Sequence, residues 1–101
     1  MKLSDLTVEY MLAYARFDDV EEVDEQVKAE MSTALTAAIA HCKSITGLTE
    51  EELDEHEDIT AAAQILAQDF FENRNKFLDY KYKEYNPAVS EILNSHRRVL
   101  L

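Results

Sequence analysis

The sequence predicts an all-α protein: a small bundle of about four helices, with a long central antiparallel pair and an extended arm or hairpin before the last helix. Three observations predict it. Apolar residues recur at three- and four-residue steps along two long stretches, which is the helical period. The run Ala61-Ala62-Ala63 favours helix and permits close packing. With one Gly and one Pro in 101 residues, chain punctuation must come from Asp, Ser, Thr and Asn. At this length a single domain, residues 1–101, is the expectation, and folding buries roughly two-thirds of the unfolded chain's surface.

The first helix is expected from about Ser4 to Ala15. Ser4 or Thr7 can cap it, because a side-chain oxygen accepts a hydrogen bond from a free N–H of the first turn. Val8, Met11, Leu12 and Ala15 form its apolar stripe. Arg16-Phe17-Asp18-Asp19 reads as a break. The second helix is expected from about Val20 to Ser44, with Val20, Val23, Val27, Met31, Ala34, Leu35, Ala38, Ile39 and Cys42 along one face. Its acids crowd the first turn, where the positive end of the helix stabilises them. Gly47, just beyond, has free access to the left-handed conformation that often ends a helix.

Thr49 to Asp58 is an acid-dense connector, expected as a short helical turn or a surface loop. Thr49 with Glu52 three residues on matches a capping box. The third helix is expected to begin with Asp58 as N-cap and to run to about Lys76 or Asp79, with Ile59, Ala62, Ala63, Leu66, Phe70 and Phe77 as its core stripe. Phe77 to Tyr85 changes period. Tyr80-Lys81-Tyr82-Lys83 alternates in twos, which suits an extended segment or hairpin arm, with a further helical turn as the alternative. Asn86 can cap the last helix and Pro87 fits its first position. Val89, Ile92 and Leu93 form its apolar face, and His96-Arg97-Arg98 complements its negative end.

Composition excludes several function classes. A single Cys builds neither a disulfide framework nor a multi-cysteine metal site, and one Gly is too few for a phosphate-cradling loop. The net charge of -11 argues against gripping DNA through a basic face. At 47% hydrophobic residues the chain is too apolar for a disordered acidic tail. No apolar run reaches the length of a signal peptide or a membrane span, so a reduced, cytoplasmic setting is expected. Catalysis is not expected either. His41 and Cys42 are adjacent, so on a helix they point about 100° apart and form no nucleophile–base pair. Cys42 lies on the apolar stripe and reads as packing, and His41 as a helix-surface residue. His56 sits among acids, but Glu50 to Asp58 lacks the alternating ligands and central Gly of a calcium loop. Catalytic residues, metal and cofactor are all expected to be absent.

The charge is uneven. Residues 1–73 hold 18 acidic and four basic residues, a balance of -14; residues 74–101 carry +3. Such polarity suits head-to-tail self-association.

The order of these pieces resembles a family of tailed-phage head–tail connectors, the small all-helical adaptor or head-completion proteins labelled DNA-packaging proteins. The resemblance covers nearly the whole chain. It runs from Thr7-Val8-Glu9-Tyr10-Met11-Leu12-Ala13-Tyr14-Ala15 and its terminal break, through Ala37 to Gly47, to Asn86-Pro87-Ala88-Val89 and the basic ending at Arg97-Arg98. Its most telling element closes the alanine-rich helix: Phe71-Glu72-Asn73-Arg74, with Phe71 where Trp or Tyr is the expected aromatic. The resemblance implies a homo-oligomeric ring, dodecameric in the virion, made in the bacterial host cytoplasm and placed at the head–tail junction. The ring docks beneath the portal protein, extends the DNA channel without binding DNA specifically, and presents a platform to the next head-completion or tail protein. Phe77, Tyr80, Lys81, Tyr82, Lys83 and Tyr85 are then expected to contact a neighbouring subunit or face the channel, and Arg97 and Arg98 to contact an adjacent ring. The alternative is a small acidic helical binding module, such as an inhibitor or a DNA mimic.

Overall fold

The computed structural model describes residues 1–15, 23–73 and 87–97. Among them every regular element is helical: a 3-10 turn at Leu3–Asp5, then α1 (Val8–Tyr14), α2 (Glu25–Thr46), α3 (Glu50–Leu53), α4 (Glu57–Glu72) and α5 (Pro87–Ser95). The all-α expectation holds. The proposed arm before the last helix, and the break at residues 16–19, lie outside the described residues.

The boundaries follow local hydrogen bonding. The chain does not run straight from Ser4 into the first helix. The Asp5 carboxylate accepts from the Lys2 N–H at 2.9 Å and closes a separate turn. Thr7, in extended conformation, then caps α1 by accepting from the Tyr10 N–H at 3.1 Å. The second helix starts at Glu25 rather than Val20. Asp24 has a non-helical backbone, and its carboxylate accepts from the Gln26 N–H at 2.7 Å, so one of the acids expected inside the first turn is instead the cap. α2 extends to Thr46 and ends at Gly47, whose φ of 72° is the left-handed stop foreseen for it.

The connector forms the helical turn α3. Thr49 Oγ1 accepts from the Glu52 N–H at 3.2 Å, and Glu52 Oε1 accepts from the Thr49 N–H at 3.1 Å, so the capping box is reciprocal. Leu53 is fully buried beneath it. α4 begins two residues earlier than expected. His56, not Asp58, is its N-cap residue, with its carbonyl accepting from the Thr60 N–H at 3.3 Å. At the other end α4 stops at Glu72, short of Lys76 or Asp79. Asn73 turns back, and both its N–H and its side-chain amide donate to the Asp69 carbonyl at 3.0 Å. Phe77, expected on the core stripe, lies outside the described residues.

α2 packs chiefly on α4, and the short connector, itself partly helical, returns the chain antiparallel. The facing stripes are those the periodicity picked out. Met31, Ala34, Leu35, Ala38 and Cys42 from α2 meet Ile59, Ala62, Ala63, Leu66, Ala67, Phe70 and Phe71 from α4, all buried. The small residues Ala34, Ala38, Ala62, Ala63 and Ala67 let the two helices approach, and the larger ones fill the space above and below. α1 covers one side of the pair with Met11 and Leu12, and α5 covers α4 with Val89 and Leu93. The N-terminal turn is held to the connector by the Ser4 N–H donating to Asp54 Oδ1 at 2.9 Å and by the Met1 amine against Glu57 at 3.2 Å. No helix among the described residues is long and apolar enough to cross a membrane.

Candidate functional site

Two regions can carry function: the end of α4, where the connector-like element stands, and a histidine–carboxylate cluster where the start of α4 meets the end of α5.

At the end of α4, Phe71 is buried and anchors the last turn in the core. Glu72 is exposed, and its Oε1 accepts from Gln68 Nε2 at 2.8 Å. Asn73 caps the helix as described above. Phe71, Glu72 and Asn73 are thus a folding device: an apolar anchor, a polar surface position and a stop. Arg74, Phe77, Tyr80, Lys81, Tyr82, Lys83, Tyr85 and Arg98 lie outside the described residues. Arg97 is exposed beyond α5, with its N–H donating to the Asn94 carbonyl at 3.2 Å.

The second region was not singled out by spacing. His56 has an extended backbone before α4 and makes no capping bond with its side chain. Asp58 lies in the first turn of α4, and His96 just after α5. The packing of α5 on α4 brings them together. His96 Nε2 and Asp58 Oδ2 are 2.7 Å apart, and the His56 and His96 rings stack at 4.2 Å between centroids with a 37° tilt. One ligating atom from each of the three residues falls within 4.8 Å of the others. Burial alone raises the Asp58 carboxyl, but the His96 hydrogen bond and charge, with backbone N–H donors including Ile59, outweigh it and hold the group below the usual carboxylate range. This engagement is why Asp58 is not the N-cap: its carboxylate is turned to His96 and to the Ile59 N–H at 3.0 Å. His96 was expected only to complement the negative end of the last helix; its ring instead bridges to α4.

Comparison with protein families, curated proteins and solved structures found no match. What the chain does is therefore read from its own residues.

The remaining candidates fall to structural roles. Cys42 is fully buried on the α2 stripe, as expected, and burial pushes its thiol up to about 11 despite an opposing backbone hydrogen bond. A thiol held protonated and shielded is a poor nucleophile. Native protein at pH 8 is therefore expected to resist iodoacetamide, and the chain's one Cys to be alkylated once urea unfolds it. Stoichiometric labelling of the folded chain, followed by mass spectrometry, contradicts that. His41 is half-buried on α2, and burial lowers its pKa.

Proposed function

We propose that the chain is a structural subunit of a tailed-phage head–tail connector, assembling as a homo-oligomeric ring between the portal protein and the next head-completion or tail protein. The observation that carries the reading is the end of α4. There Phe71 is buried and Asn73 stops the helix, at the position of the connector-like Phe-Glu-Asn-Arg element. The aromatic and basic residues 74–86 stand between α4 and α5 in the sequence.

Charge supports the same reading. The body up to residue 73 carries -14 and the remainder +3, and a heterologous interface, which a ring requires, joins unlike surfaces. An acidic lining repels the phosphate backbone and so lets DNA pass without sticking. The virion is the corresponding location.

Electron microscopy of the chain co-expressed with the portal protein of its own genome tests this. The expected result is a ring seated on the portal. Persistent monomers that ignore the portal and bind a DNA-binding enzyme tightly would instead support an acidic inhibitor or DNA mimic.

A further inference from the structure

We propose that His56, Asp58 and His96 form a binding site for a divalent transition-metal ion of the zinc type, which clamps the end of α5 to the head of α4. The juxtaposition of two imidazoles and a carboxylate from two elements carries it. His56 and Asp58 come from one end of α4, and His96 from a position 38 residues after Asp58, with the ligating atoms within 4.8 Å of one another.

Donor chemistry selects the ion. Imidazole nitrogen suits Zn2+, Cu2+ and Ni2+, whereas Mg2+ and Ca2+ take sites made of oxygen. Two His and one carboxylate are a known three-ligand set for zinc, with the fourth position left to water. Dimensions agree. Zinc binds these atoms at about 2.0–2.2 Å, so neighbouring ligands in a tetrahedron lie about 3.3 Å apart. The 2.7 Å contact between His96 and Asp58 must therefore open slightly, and the widest separation must close. Both changes fall on side chains at the surface. Asp58 is exposed and the two His are partly so, and neither needs the buried residues Ile59 or Leu93 to move.

The surroundings favour a cation. The site lies at the end of the run Glu50 to Glu57, which holds six carboxylates and neither Lys nor Arg, and clustered negative charge raises the local cation concentration. The negative end of the α5 dipole adds to this, while the positive end of α4 opposes it. The His56 side chain is not spent on capping α4. A residue type poorly suited to an N-cap stands at that position, and its ring is presented to His96 instead. The site does not depend on ring assembly, because all three ligands come from one chain.

Zn2+ titrated into the EDTA-stripped full chain tests the proposal, read by calorimetry and by thermal melting. The expected result is one saturable site per chain at micromolar Zn2+, with Tm rising at each tenfold step in free metal because the ion binds only the folded state. Co2+ is expected to replace Zn2+ and gain visible ligand-field absorption, and a hundredfold excess of Mg2+ to displace neither. His56→Ala, Asp58→Asn and His96→Gln are each expected to weaken binding at least tenfold, whereas His41→Ala leaves it unchanged. Absence of saturable binding, or full affinity in His56→Ala, overturns the site. Should a variant lose helicity, NMR of the wild-type imidazoles decides: the His56 and His96 ring signals must move on adding Zn2+ while those of His41 stay, and unmoved rings overturn the proposal.

Discussion

Leu66→Ala is expected to destabilise the chain by about 2–5 kcal/mol, the range for truncating a fully buried Leu. Leu66 is 0% exposed, midway along α4, on the face that packs against α2. Truncation removes its apolar contacts and leaves a cavity in the buried cluster. The nearby Ala62, Ala63 and Ala67 have no length with which to collapse into the gap. Domains of this size are stable by about 5–15 kcal/mol in total, so the loss is a large share. At roughly 4–8 °C per kcal/mol, the Tm falls by roughly 8–40 °C. Urea melts followed by far-UV circular dichroism measure it, with the midpoint lowered and the slope unchanged. A loss under about 1 kcal/mol means that α2 and α4 do not pack as described.

The same stripe explains why the fold was legible in the sequence. Met31, Leu35, Ala38 and Cys42, and Ile59, Ala63, Leu66 and Phe70, are spaced by three and four residues, and burial against a partner helix is what that spacing is for. Local caps were legible where the reciprocal partner sits within the same turn, as with Thr49 and Glu52. They were misplaced where several acids competed. Asp24, an acid expected inside the first turn, is the cap of α2, and Asp58 gives up the cap of α4 to engage His96. In a run of carboxylates, sequence does not rank the candidates; tertiary partners do.

The histidine–carboxylate cluster was illegible for the same reason. His56 and Asp58 stand two apart in an acidic connector, a spacing that by itself matches no metal motif, and the third group arrives only when α5 docks through Val89 and Leu93. Contacts across 38 residues are products of packing. So is the anchoring of the N-terminal turn by Asp54 and Glu57. The element Phe71-Glu72-Asn73 was readable as a pattern, yet its physical content, a buried anchor followed by a side-chain stop, came from the hydrogen bonds of Asn73.

Replacing Tyr80, Tyr82 and Tyr85 together by Ser is expected to abolish ring assembly and portal association while leaving the helical content intact. These three residues stand in the sequence between Asn73, which caps the end of α4, and Pro87, where α5 begins, and lie outside the described residues. A tyrosine buries roughly 150–250 Å² when packed, with its hydroxyl still able to find a partner, which is why such residues concentrate the binding energy of interfaces. At about 2 kcal/mol or more for each anchor lost, the triple change weakens every subunit contact by several powers of ten. In the proposed ring each subunit would offer the segment to a neighbour, so closure multiplies that loss. Analytical ultracentrifugation and electron microscopy read the assembly, and far-UV circular dichroism with a thermal melt reads the bundle. Loss of rings with an unchanged melt supports an intersubunit arm. Unchanged assembly with a lowered Tm assigns the tyrosines to the subunit's own packing and removes them from the interface.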